Sequence, residues 1–170
     1  MHPAFARQRT SAMKLDQLGY GPDRVERPRG LAATVAFMVG GLLVVWSTYI
    51  HFHLWQDLGY RHISVIGPLF LLQSIAGLLI GLLIILVCRV WVAIVGIGFA
   101  LSTMVGFFIS IEYGLFGFKD SWAAPFAHEA LAIEIATIVV LIVAGALCLT
   151  RSASTTRAES IPAGIPSSGA

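Results

Sequence analysis

His51, His53, His62 and His128 stand near the ends of long apolar blocks, and Glu112, Asp120, Glu129 and Glu134 stand with them. Imidazole and carboxylate on facing helices can hold a metal ion. Histidines from two helices can ligate a haem axially, and a Glu–His pair can relay protons or cradle a quinone head group. For a metal, the candidate set is His51, His62, His128 and Glu134. For a bound cofactor it is His51, Gln73, Glu129 and Glu134. The Glu-x-x-His spacing of carboxylate-bridged bundles does not occur. His51 and His53, two residues apart, fall on opposite sides of one helix and cannot ligate together. The plainer reading of His53, His62, His128 and Glu112 is wetted polar groups at headgroup level. Glu134 is different, because it lies about 10 Å below the start of its block at 1.5 Å per residue. An acid that deep in hydrocarbon costs roughly 2.5–3.5 kcal/mol at a helix centre and is seldom kept without a use.

The elements that position these groups are four apolar blocks, at about 31–50, 66–87, 90–111 and 127–149. Hydrophobic residues make up 57% of the 170, charged residues 12%, and the mean hydropathy is +0.83. A soluble domain carries about 25% charge. Each block has roughly the 20 residues that cross a bilayer as a helix, and backbone in lipid must pair within its own segment. The fold class expected is all-α, a membrane four-helix bundle. Residues 1–30 read as a polar cytoplasmic arm and 151–170 as a disordered tail rich in Ser, Ala, Gly and Pro. No apolar core follows Met1, so the arm does not read as a cleavable signal. A net charge of +2 gives no reason to expect nucleic acid. Cys88 and Cys148 are too few for a disulfide framework and read as small apolar fillers.

Orientation follows from Lys and Arg. Six lie in the arm, Arg89 in the second turn, and Arg151 and Arg157 in the tail, nine in all, against Arg61 and Lys119 on the other side. The positive-inside rule places the nine in the cytoplasm, giving N-in/C-in at the plasma (inner) membrane. Trp55, Tyr60, Tyr113 and Trp122 read as anchors at the opposite interface.

Small residues mark expected packing faces. Gly98, Ser102, Gly106 and Ser110 recur at every fourth position of the third helix, a ridge on which another helix can sit closely. Gly77 and Gly81 form a GxxxG pair on the second, with Gln73 one turn along the same face. Gly77, Gly81, Gly98, Ser102 and Gly106 could equally build a homo-oligomer or a larger membrane complex. The first helix carries a stripe of Ala36, Gly40, Ser47 and His51, so a helix that persists past Ile50 turns His51 inward and His53 toward headgroups. On the fourth, Leu131, Ile135, Ile138 and Ile142 read as lipid-facing, opposite Ala130, Thr137 and Ala144.

The segment from His51 to Gln73 reads His-Phe-His-Leu-Trp, then Gly-Tyr-Arg-His-Ile, then Ile-Gly-Pro-Leu-Phe-Leu-Leu-Gln. It resembles a pattern that recurs in small four-helix integral membrane proteins of actinobacteria, over the first two helices and their loop. In plan the chain is also similar to the DoxX-like membrane proteins. The resemblance implies four-helix architecture and no particular activity. The functional expectation is a non-catalytic accessory or structural membrane subunit. The alternatives are a metal-, haem- or quinone-binding redox protein with an outward-facing His/Glu site, and a small transporter.

Cysteines introduced in the arm, near Arg89 or in the tail should resist an impermeant thiol reagent in intact cells, and those near Gly59 or Lys119 should react. Labelling of the Arg89 turn from outside would overturn the orientation.

Overall fold

The computed structural model describes residues 30–159. The arm before them and the last residues of the tail lie outside that range. Four helices, α1 (Leu31–Asp57), α2 (Ile66–Val87), α3 (Val90–Glu112) and α4 (Ala127–Glu159), form an all-α membrane bundle, and among the described residues there is no strand. A 3-10 turn, Tyr60–His62, lies in the α1–α2 loop. Each helix contains a stretch long and apolar enough to cross a bilayer, and at most 39% of any of these is buried within the chain. Leu79, Leu86, Ile94, Val139 and Ile142 are among the large apolar side chains left bare for lipid. The end that holds the Arg89 turn is called proximal below, and the end that holds the two longer loops distal.

Two helices run past their expected ends. The first continues through Asp57, so His51 is buried and His53 is turned out, where Nδ1 meets Asp57 Oδ2 at 2.7 Å. The fourth continues to Glu159, and residues 151–159 of the expected tail are therefore helical. Composition suggests a coil there, yet those residues include no Gly or Pro, and the first breaker is Pro162. At the proximal end α2 stops at Cys88, which takes a left-handed conformation (φ 47°) and donates its N–H to Ile84 O at 3.1 Å. Cys88 is thus both a buried filler and the C-cap of a very tight turn. At the distal end Pro68 sits in the first turn of α2, where its missing N–H costs nothing. A Cβ on Gly67 would stand 2.7 Å from Arg61 O, so the loop closes only over glycine.

The proximal half of the bundle is solid. Phe37, Val44, Ile84, Val92, Leu141 and Ala144 form its core. Helices interlock there through glycine. A Cβ on Gly41 would lie 2.8 Å from Gly81 O, one on Gly81 3.0 Å from Gly41 O, and one on Gly96 2.7 Å from side chains of Ile84 and Leu141. Gly77 and Gly81 are therefore spent inside the bundle, against α1, and offer no face to a second copy.

The expected ridge on α3 behaves otherwise. Nothing lies within 4 Å of a Cβ built on Gly98 or Gly106, and Ser102 is exposed. The buried seam of α3 instead runs through Ala93, Gly96 and Ala100, on a different face. The expected lipid face of α4 is also rotated slightly. Ile135 and Ile142 are bare, but Ile138 is only partly exposed and Leu131 lines an internal space. The two helices joined by the shortest turn, α2 and α3, touch least among sequence neighbours, while α1 packs extensively on α2 and α4.

Gly81→Leu should destabilise the purified protein by about 1–3 kcal/mol or more, because the side chain must push the α1 and α2 backbones apart. Gly98→Leu should leave thermal melting in detergent unchanged. Equal melting of the two variants would contradict this packing.

Candidate functional site

The gap between α2 and α3 opens into a cavity of about 360 Å³ in the distal half of the bundle. Its walls are apolar and aromatic, with Phe70, Phe99, Phe107 and Leu131 among the side chains of the helices. Ser102, Gly106 and Ser110 line it too, so the small ridge of α3 makes space for a cavity and not a seat for a helix.

Four helices each bring one polar side chain to nearly the same level. At 1.5 Å per residue, His51 lies about 9 Å from the distal end of α1, Gln73 and Glu134 about 10 Å from the starts of α2 and α4, and Thr103 about 14 Å from the end of α3. Gln73 Nε2 donates to Thr103 Oγ1 at 3.1 Å and bridges α2 to α3 across the gap. Thr103 donates its own proton to Phe99 O at 3.0 Å. His51 Nδ1 lies 2.8 Å from Ser47 O. A carbonyl only accepts, so Nδ1 carries the hydrogen and Nε2 is the ring's free position. The ring also packs on Phe70, with centroids 5.4 Å apart. Glu134 is 4% exposed, and its Oε1 is buried without a hydrogen-bond partner. No hydrogen bond or ion pair joins it to His51 among the described residues. Thr137, one turn deeper, has turned its hydroxyl back to Ile133 O at 2.8 Å. Ser47 Oγ and Thr48 Oγ1 are buried without partners as well.

The roof comes from the distal loops. Phe116 (φ 52°) and Gly117 (φ 82°) turn the α3–α4 loop, with Leu115 and Phe118 paired through N–H···O contacts of 2.6 and 2.9 Å. Two successive positive φ values match the tight turn that suits a twisted hairpin. This carries Phe118 onto Tyr60 at 5.7 Å, and Tyr60 onto Phe70 at 5.0 Å. Asp120 ties the loop down through its N–H, 3.3 Å from Ser110 O and 3.2 Å from Ser110 Oγ. Burial pushes the Asp120 carboxyl above its usual range, opposed by the bond it accepts from Ser121 N at 2.9 Å. Burial, and then the charge of Asp120, push the Tyr60 hydroxyl up.

Of the residues singled out from sequence, the structure gathers His51, Gln73 and Glu134 around one cavity. Glu129 is exposed on the far side of the first turn of α4 and does not join them. The metal set is not assembled. His62 is exposed and accepts from Arg61 Nε at 3.1 Å, and His128 is exposed against Trp122. Among the described residues no group of three or more His, Cys, Asp and Glu could hold a metal ion. Among the described residues His51 is the one histidine in the cavity lining, and no second histidine stands there to complete a two-histidine haem site. Asp120 is visible in the sequence among the outer ionisable groups and Tyr60 as an interfacial anchor, but neither they nor Thr103 and Phe118 enter the expected ligand sets. Thr103 carries a usable signal, a polar residue as deep in its block as Gln73 and Glu134 are in theirs.

Comparison with known protein families, with curated proteins and with solved structures finds no match for this chain.

The pH dependence of the roof follows from Asp120. Its raised folded pKa means that its contribution to stability is fully present below the ordinary carboxylate range and is lost as pH rises through the raised value. Asp120→Asn should remove that component of the fall in melting temperature between acid and neutral pH. Identical profiles for variant and parent would show that Asp120 does not govern the roof.

Proposed function

We propose that this is a multi-pass plasma-membrane protein, with both termini in the cytoplasm, that binds an amphipathic small molecule in the half of the bundle facing the outer leaflet. The observation that carries this reading is Glu134. Its side chain, with Oε1 buried and without a partner, lines a cavity walled mostly by apolar and aromatic side chains. Cavities of this size and lining, with few convergent polar groups, are the usual form of small-molecule sites. Leu72 of α2 and Ser102 of α3 line the cavity and are exposed on its flank, so a ligand dissolved in the bilayer can reach it sideways between the two helices. The charge distribution along the sequence supports the orientation, with nine basic residues in the arm, the Arg89 turn and the tail, and two in the other loops.

The accessory-subunit reading keeps one observation of its own, the bare small surface at Gly98 on α3, where a partner helix could approach closely. Binding separates the two. Phenylnaphthylamine, a neutral lipophilic fluorophore, should bind saturably to the protein in phosphatidylcholine nanodiscs beyond its partition into empty discs. Gly106→Phe places a ring in the cavity without crowding any atom within 4 Å of its Cβ. It should reduce that binding by about tenfold or more while melting stays near the parent value. Absence of saturable binding in the parent protein leaves the accessory-subunit reading.

A further inference from the structure

The polar groups of the cavity are unequal in kind. Among the described residues no Lys or Arg lines it, whereas two carboxyl groups do, Glu134 at the floor and Asp120 at the roof. The hydroxyl protons near the floor are already committed. Ser102 donates to Phe99 O at 2.7 Å and Thr103 to the same oxygen at 3.0 Å. What remains on offer at the floor is largely acceptor: the carboxylate of Glu134, the free Nε2 of His51 and the amide oxygen of Gln73, against one unused amide hydrogen of Gln73. Aromatic rings supply the walls, and their faces attract cations. A quinone, whose oxygens accept hydrogen bonds, would find one unused amide hydrogen of Gln73 and, only with Glu134 protonated, a carboxyl proton, whereas an ammonium uses every acceptor at once. A carboxylate head would meet two groups of its own kind.

Resting on the reading of the cavity as a small-molecule site, we propose that its ligand is a free amphipathic ammonium, whose N–H groups meet Glu134, His51 and Gln73 while its apolar chain lies among the phenylalanines. A charge buried without a partner is costly, and a cation seated beside Glu134 offsets that cost while losing its own water to hydrogen-bond acceptors. Glu134 lies about 10 Å below the distal start of α4, deeper than headgroup level, so the ammonium belongs to a free molecule and not to a bilayer lipid.

Three compounds with one alkyl chain and different heads test this: decylammonium, decanol and decanoate. Each competes with phenylnaphthylamine bound to the protein in phosphatidylcholine nanodiscs, corrected for partition into empty discs. Decylammonium should displace the fluorophore at about tenfold lower concentration than decanol, the worth of one desolvated charge contact, and decanoate should be the weakest. Within the Glu134→Gln variant the advantage of decylammonium over decanol should disappear, while Glu112→Gln, at an exposed helix end, should retain it. Equal potency of the ammonium and the alcohol in the parent protein overturns the proposal without any variant. An advantage that survives Glu134→Gln overturns the role of Glu134. Loss of fluorophore binding on exchanging phosphatidylcholine for phosphatidylethanolamine overturns the free molecule in favour of a lipid headgroup. Failure of the fluorophore to bind at all refutes the cavity reading itself and is distinguishable from each of these.

Discussion

The bundle depends on the approach of two backbones, α1 and α2, at Gly41 and Gly81. Each glycine stands where a Cβ would press on the other's carbonyl oxygen. In hydrocarbon no hydrophobic force drives helices together, because lipid tails are as apolar as leucine, so contact area must come from close packing. The glycine contact provides it, and Gly96 provides the equivalent seat for Ile84 and Leu141. Around these contacts the proximal half closes into a continuous core, with Phe37, Val44 and Val92 wholly enclosed. The distal half is thereby free to do something other than hold the helices together.

That division explains how a polar level survives inside so apolar a chain. Gln73 and Thr103 satisfy each other across the gap, and His51 borrows a carbonyl from its own helix. These are the economical ways of placing polar atoms away from water, since most of their hydrogen-bonding capacity is used. Glu134 lacks such a partner at Oε1, and Thr137 and Leu141 below it on the inner face of α4 are enclosed. A carboxyl placed this way costs stability and adds nothing to the contacts that hold the helices together.

Much of this is legible in the sequence. The four spans follow from hydropathy, because their apolar blocks are long and the loops between them are polar or aromatic. Three residues of the floor are legible for the same reason: a His, a Gln and a Glu within apolar blocks stand out. The ends of α1 and α4 are not. Polar residues such as His53 and Gln56 end a hydropathic block without ending a helix, and the break after α1 comes at Gly59. The ridge on α3 misleads for a related reason. A stripe of small residues reports that something lies close or that room is left, and local sequence does not distinguish them. Which holds is decided by Gly96 and Ala100, which turn the neighbouring face of α3 into the bundle.

The roof is illegible in the sequence because it depends on loops. Nothing in the order of Tyr60, Phe70 and Phe118 announces that their rings will meet. The positive φ values at Phe116 and Gly117 reverse the chain and bring Phe118 back over α2. Asp120 then fastens the loop to Ser110, the last residue of the small ridge. The ridge therefore serves twice. Its middle, Ser102 and Gly106, leaves the cavity its volume, and its distal end anchors the loop that covers it. Filling the middle with large side chains would not loosen the helices, which meet elsewhere. It would remove the cavity and leave the roof tied over nothing. Ser102, Gly106 and Ser110 of α3 thus line the cavity, while Gly96 of α3 joins the glycines of α1 and α2 in holding the bundle together.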